Sequence, residues 1–422
     1  MTAMVMSVIL AAGKGTRMRS DLPKVLHRLM GSPILEYVIE KVEALGCDPK
    51  AVVVGYRQEL VRAAFTERGI TWAHQADQKG TGHAASVGME AAPGFTGDVL
   101  ILNGDLPLLE MATLEGILQR HRQSKADVTV LTCEMIRPTG YGRIIRDKKT
   151  GSLQDIREDK DADEATRAIR EANVGTYVFK APVFRDAFLR TRCDNAQGEY
   201  YLTDVVVEAA RSGARIETFP VPDGPQIHQI NSRREQAEVS AIIRKRLLEE
   251  HMDAGVTVED PLTTYIEKGV RIGRDSRIYP YTYIERGTEI APGCEVGPFA
   301  HLRPGTFLRE GASIGNFVEI KASEIGERTK ARHLTYIGDA QVGSDVNIGA
   351  GVIFANFDGK KKSRTIVKQR AFIGSGTILV APVSIGEEAV TGAGAVVTKN
   401  HDVPDRDVVI GVPARSLHRK EG

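Results

Sequence analysis

The chain has 422 residues, 42% of them hydrophobic and 26% charged, enough to bury two cores, so at least two soluble domains are expected. Lys and Arg total 56 against 55 Asp and Glu, which leaves no overall field to draw nucleic acid or an anionic membrane; any affinity for anions must be local. No window reaches the roughly 18 apolar residues of a membrane helix, and Cys47, Cys133, Cys193 and Cys294 show neither disulfide-framework nor CxxC spacing, so a reducing, cytoplasmic setting is expected.

The first apolar segment, Met4 to Ala12, has no basic stretch before it and runs directly into Gly-Lys-Gly, which marks a buried strand rather than a leader. From Met6 to about Asn231, short aliphatic runs (VMSVIL, KAVVVGY, DVLILNGD) alternate with amphipathic stretches such as SPILEYVIEKVEALG. This is the pattern of an α/β domain with a mainly parallel sheet. In that first helix Ser32 is placed to cap, Pro33 suits the first turn and Gly46 ends it.

The loop Leu10 to Met18 follows the first strand, and its glycines let backbone N–H groups face a phosphate at the start of a helix. Met18 stands where a dinucleotide fingerprint requires a third glycine, and the full Walker spacing is absent. Leu22-Pro23-Lys24 adds a second fixed cation beside Arg17, and a glycine loop with two cations suits a triphosphate. After DVLILN comes Gly104-Asp105, at the strand end where an open α/β sheet binds its ligand. A carboxylate there either holds Mg²⁺ against phosphate oxygens or caps a helix.

Arg233 to Met252 reads as a long charged helix without a breaker, a connecting arm. Beyond it the period changes to six: Ile266, Ile272, Ile278, Ile284, Ile290, Val296, Leu302, Leu308, Ile314 and Ile320, then after one shift Ile325, Ile337, Val342 and Ile348. A hexapeptide repeat predicts a β-helix with each aliphatic residue inside the coil and small residues at the corners; ten hits at one phase disfavour a β-sandwich with chance periodicity. The flat outer faces of such a prism predict a homotrimer. The repeat breaks at NFDGKKKSRTIVKQR, Asn356 to Arg370, and resumes at Ile373, Leu379 and Ile385. That excursion is either a solvated loop or an arm that meets an anion at a neighbouring subunit.

The segments LAAGKGTRMRSDLPKVLH, QADQKGTGHA, NGDLPL, PTGYGRI and NAQGEYYLTD resemble the GlmU family of bifunctional N-acetylglucosamine-1-phosphate uridyltransferases and glucosamine-1-phosphate N-acetyltransferases, and the match runs from about Met6 to Arg415. The resemblance implies a Rossmann-like α/β nucleotidyltransferase domain over residues 1–232, a helical arm over 233–253 and a left-handed parallel β-helix acetyltransferase domain over 254–422. Leu10, Ala11, Ala12, Gly13, Gln75, Gly80 and Thr81 would hold the nucleotide, and Arg17 and Lys24 its phosphates. Asp105 and Asn231 would ligate Mg²⁺. Gly140, Glu158 and Asn173 would line the sugar pocket, with Gly104 beside the metal and Asn103 at a position where several members carry other residues. The implied reaction is in-line attack of the sugar 1-phosphate oxygen on the α-phosphorus of UTP, with release of pyrophosphate and no protein nucleophile.

Within the repeats lie GNFVEIK (315–321), ARHLTYIGD (331–339) and VNIGAG (346–351). A lone histidine at a β-helix corner reads as structural, but Glu319 lies about one coil before His333 and could orient it. Acetyl transfer to an amine needs a base of near-neutral pKa, for which His333 is the candidate. The resemblance assigns His333 as proton acceptor, and Arg303, Lys321, Tyr336 and Asn347 as sugar-phosphate contacts. It puts Ala350, Asn356, Phe357, Ser375, Ala393 and Arg415 at the acetyl-CoA site, with Lys362 reaching a neighbouring subunit. Phe357 replaces the tyrosine usual in the family, and the β-helix starts with fewer coils than in familiar members. The product would feed peptidoglycan and lipopolysaccharide precursors, from small-molecule substrates with no nucleic-acid or membrane partner. The rival reading is a nucleotidyltransferase whose β-helix only trimerises or binds a regulator; it would not need His333, Asn347 and the basic loop together.

Overall fold

A computed structural model of the protein describes residues 4–195, 197–221 and 224–417. They form two compact units that divide between Val239 and Ser240, inside the helix Arg233–Asp253.

In the first unit, β1 (Val5–Leu10) is apolar on both faces: Val5 and Ile9 pack with Leu35 and Val38 of α1 (Ile34–Ala44), while Met6 and Val8 pack with Ala84 and Ala85 of a later helix, Thr81–Met89. A strand buried on both sides is what a sheet layered between helices requires. Counting onward, β2 (Lys50–Val54), β3 (Thr71–His74), β4 (Asp98–Asn103), β5 (Val128–Glu134), β6 (Gly142–Arg146), β7 (Leu153–Arg157), β8 (Glu171–Lys180) and β9 (Ile216–Pro220) complete the sheet. Its order is β9-β5-β8-β4-β1-β2-β3, with the β6–β7 hairpin attached to β8. Neighbours are parallel except along β8, which runs antiparallel to β4, β5 and β6, and within the antiparallel β6–β7 hairpin.

One cap differs from expectation. Ser32 and Pro33 pair with Arg28 and Leu29 in a short antiparallel ladder, and α1 starts at Ile34 with Pro33 as its N-cap residue. Ser32 therefore lies one position too early to cap. Gly46 does end the helix, left-handed at φ 69° with its N–H on Glu43 O at 2.9 Å.

In the second unit, short strands stack in parallel. Tyr283 pairs with His301 and Glu289 with Phe307, each 18 positions on, so three hexapeptides make one coil. One residue is missing between Ile320 and Ile325 and another between Ile337 and Val342, so from Phe307 to Ile353 partners stand 17 apart, as in Phe307 with Glu324 and Tyr336 with Ile353. The excursion widens the interval to 25 for Gln341 with Ile366, and 18 returns for Phe372 with Val390. The aliphatic column of the repeat is the coil interior, fully buried except for a half-buried Ile272. Complete burial of each such side chain contributes about 1.5–3 kcal/mol.

One outer corner is unusual. Tyr281, Phe299, Phe317 and Leu334 occupy it in successive coils, all left-handed with φ between 39° and 58°, and all exposed. Tyr281 stacks on Phe299 with centroids 4.8 Å apart, and Phe299 on Phe317 at 5.0 Å. Bulky residues rarely adopt this conformation. In the next three coils the same corner is Gly351, Gly376 and Gly394.

Candidate functional site

The front site lies where the order of the parallel strands reverses. Leu10, the last residue of β1, is in register with Asn103, the last of β4, so the glycine loop and Gly104-Asp105 leave neighbouring strands at the same end. The loop does not open an α-helix as expected. It leads into a single 3-10 turn, Thr16–Met18, bounded by left-handed Gly15 and Arg19, and a second such turn starts at Lys24 after Pro23. The α-helix whose N-terminus borders the site is instead Thr81–Met89, through Gly80 and Thr81. A side chain on Gly15 would bring its Cβ within 2.7 Å of Lys24 Cβ, so this glycine lets Lys24 fold back on the loop.

Lys24 Nζ donates to Asp105 Oδ2 at 2.5 Å and to Asn231 Oδ1 at 3.1 Å. Asn231 is carried there by Ile230, whose N–H bonds Asp105 O at 3.2 Å. Asp105 Oδ1 is buried and without a hydrogen-bond partner. An unused carboxylate oxygen beside an amide oxygen is a donor set that fits a hard divalent cation whose shell is completed by water and phosphate. Among the described residues no group of three or more His, Cys, Asp or Glu side chains is placed to hold a metal by itself. Arg17 is exposed on its turn.

A cavity of about 350 Å³ gathers Leu10 to Gly13, Lys24, Gln75, Gly80, Thr81, Asn103 and Asp105. It also takes in Val25, Gln78, Ala84 and Glu199, which lie in the quoted segments without an assigned role, and Gln229, which lies in none of them. Gln78 Nε2 donates to Ala12 O at 2.6 Å and Gln75 Nε2 to Gly80 O at 3.1 Å, which fixes the loop walls. Gly140, Glu158 and Asn173 do not line this cavity. Asn173 is buried, donating to Tyr177 Oη at 2.6 Å and accepting from Gly175 N–H at 3.1 Å. Glu158 lines a second cavity of about 1070 Å³ with Tyr201 and Asp204; burial raises its carboxyl pKa, opposed by the Thr203 hydroxyl it accepts at 3.0 Å.

In the second unit, strands 313–321 and 330–338 each run round the corner, at Phe317 and Leu334. Asn316 is in register with His333 and Glu319 with Tyr336. The structure thus does not bring Glu319 to His333: its Oε1 accepts from Arg303 Nη1 at 2.8 Å. His333 is exposed, directly before the corner residue Leu334. Above it the coils superpose Ala350, Ser375 and Ala393. The succession is marked by Gly351 N–H on Leu334 O (2.9 Å), Gly376 N–H on Ala350 O (2.7 Å) and Gly394 N–H on Ser375 O (2.8 Å). Asn347 stands three residues before Ala350, in register with Lys330 and Phe372.

The excursion turns back on itself. Phe357 bridges Lys362, Ser363 N–H bonds Asn356 O at 2.8 Å, and Asp358 accepts the N–H groups of Lys360 and Lys361. Lys362 lies beside Lys321 of its own chain, and with Arg303 it pushes the Lys321 ammonium pKa down. Asn356 donates to Asp339, and its amide and the Tyr336 hydroxyl both occupy the space that a side chain on Gly338 would fill. Arg415 is exposed on a short strand antiparallel to Val408–Ile410. A cationic patch thus lies on the same stack of coils as an exposed imidazole, whose corner loses its side chains in the coils above it.

A model of the MobA-like NTP transferase domain matches residues 7–175. The bifunctional protein GlmU of Syntrophotalea carbinolica is 43% identical over 432 residues, covering 94% of this chain and 92% of that protein. Those of Shouchella clausii (42%; 96% and 95%) and Pelotomaculum thermopropionicum (46%; 89% and 89%) match over similar spans.

Proposed function

The chain belongs to the GlmU family, and on that premise we propose that it makes UDP-N-acetylglucosamine in two steps, one in each unit. The observation that carries this reading is the column of His333, Ala350, Ser375 and Ala393 beside a corner stripped to glycine.

In the second unit, the patch of Arg303, Lys321 and Lys362 holds the phosphate of glucosamine 1-phosphate, with Tyr336 and Asn347 on the sugar. Acetyl-CoA runs along the glycine corner past Ala350, Ser375 and Ala393, with Asn356, Phe357 and Arg415 at its border. The amine attacks the thioester carbonyl, the C–N bond forms, the C–S bond breaks, and His333 takes the amine proton. Glu319 acts on Arg303, with which it is paired.

In the first unit, the sugar 1-phosphate oxygen attacks the α-phosphorus of UTP, and the bond to the β-phosphate oxygen breaks to release pyrophosphate. Leu10 to Gly13, Gln75, Gly80 and Thr81 hold the nucleotide. Asn103 and Gly104 border the sugar phosphate, and Gly140, Glu158 and Asn173 the sugar. Lys24 and Arg17 neutralise phosphate charge. Mg²⁺ held by Asp105 and Asn231 would supply further charge neutralisation.

The exposed Tyr281–Phe299–Phe317–Leu334 corner supports a homotrimer through the β-helix. A cytoplasmic site accords with these substrates, and no described helix is long and apolar enough to cross a membrane. The test supplies acetyl-CoA, glucosamine 1-phosphate, UTP and Mg²⁺ and measures free thiol and pyrophosphate separately. Both are expected; pyrophosphate from N-acetylglucosamine 1-phosphate with no thiol release under any condition would leave the β-helix a scaffold.

A further inference from the structure

Two carboxamides approach Gly175 in the first unit. A Cβ on this residue, which is left-handed at φ 80°, would lie 2.4 Å from Asn103 Nδ2 and 3.8 Å from Gln229 Nε2. The backbone beneath is held in place: Gly175 N–H bonds Asn173 Oδ1, and the β8–β5 register shifts between Asn173 and Tyr177. Only a residue without a side chain leaves room there for the amides.

Gln229 sits on a segment that is fixed on both sides. Tyr141 Oη donates to Ile227 O at 2.9 Å, and Ile230 N–H bonds Asp105 O at 3.2 Å. Gln229 is half-buried and lines the 350 Å³ cavity beside Asn103, Lys24 and Asp105. Among the described residues neither the Gln229 nor the Asn103 side chain makes a hydrogen bond. Two neutral amides with spare donors and acceptors, next to the groups assigned to phosphate, suit an uncharged hydroxyl-bearing ring better than another phosphate.

We propose that Gln229 is a specificity-determining residue of the front site, which with Asn103 hydrogen-bonds a hydroxyl group of the sugar whose 1-phosphate reacts. The proposal rests on the front-site reading given above. Neither the glycine loop nor Asp105 can read the sugar ring, since both are committed to nucleotide and phosphate. A neutral hydrogen-bonding pair discriminates because a substrate lacking the matching hydroxyl leaves the amide unpaired.

The test uses the full chain and Gln229→Ala, with Gln229→Asn as a conservative variant, against N-acetylglucosamine 1-phosphate and its monodeoxy analogues. For Gln229→Ala, kcat/KM for the sugar phosphate is expected to fall about 3- to 10-fold, the range for one neutral hydrogen bond, with KM for UTP and the thiol-releasing activity unchanged. On the single analogue that lacks the contacted hydroxyl, wild type and variant should be equal, and Gln229→Asn should regain part of the loss on the parent substrate. An unchanged kcat/KM, or the same loss on every analogue, would overturn the role of Gln229. A wild-type protein that releases no pyrophosphate with any sugar 1-phosphate would instead overturn the front-site reading itself.

Discussion

Lys24 Nζ lies 2.5 Å from Asp105 Oδ2, so an ammonium from the segment after the glycine loop stands against the carboxylate at the end of β4. The other oxygen of that carboxylate remains unpaired. Asp105→Asn keeps the shape and removes the charge. Pyrophosphate release should fall by about 10² or more, the scale of losing one preorganised electrostatic contact, while thiol release stays at the wild-type rate. Substantial UTP-dependent activity at saturating Mg²⁺ would take Asp105 out of the metal site.

His333→Ala should lower acetyl transfer by roughly 10² to 10⁴ fold, the range for a positioned general base, with acetyl-CoA binding and uridylyl transfer unchanged. The acid limb of the wild-type acetylation profile should vanish in the variant. A variant with the limb intact and near-normal rate would make His333 structural.

The sugar-phosphate patch should lose grip in alkali. Lys362, then desolvation and Arg303, depress the Lys321 pKa, so Lys321 loses its charge at lower pH than an isolated lysine would. KM for glucosamine 1-phosphate should therefore climb on the alkaline side. Lys362→Ala removes the main cause of the depression; it should weaken binding at neutral pH yet move the alkaline rise to higher pH. A KM profile of unaltered midpoint in that variant would place Lys362 away from Lys321 in solution.

Gly394 is left-handed and a Cβ there would meet nothing within 4 Å, so Gly394→Asn, a residue that tolerates this conformation, should fold. Its side chain would project into the corner assigned to acetyl-CoA. KM for acetyl-CoA should rise about tenfold, equivalent to about 1.4 kcal/mol, with pyrophosphate release untouched. An unchanged KM would move the cofactor path to another face.

Phe299→Asn with Phe317→Asn replaces two exposed rings by a residue better suited to a positive φ. The coil should keep or gain stability in thermal melts, while light scattering should show loss of the trimer. A trimer surviving at low concentration would exclude this corner from the interface.

The β-helix was legible because its period is written into the chain: each sixth residue is an interior position, and the 356–370 interruption is a visible break. Strand direction was not, since nothing in the composition of Glu171–Lys180 says that it enters the sheet antiparallel. Nor could spacing place Glu319. It precedes His333 by 14 positions, three short of the 17-residue coil found there, and so falls against Tyr336 and Arg303. Lys362 beside Lys321 is a contact between residues 41 positions apart, set by how the excursion folds back. Gln229 belongs to no motif, and only its position in the cavity drew attention to it.

Because coil partners in the lower β-helix recur at intervals of 18, the length of this unit comes in whole steps. Tyr265-Ile266 and Tyr283-Ile284 are the same dipeptide one coil apart, and excising residues 266–283 would join Tyr265 to Ile284 with every higher layer still in phase. A cut that is not a multiple of 18 would rotate the prism beneath the layers that carry His333, and one that is not a multiple of six would also put interior isoleucines on the outside. Such a molecule shortens by losing whole storeys, and the rooms above keep their furniture.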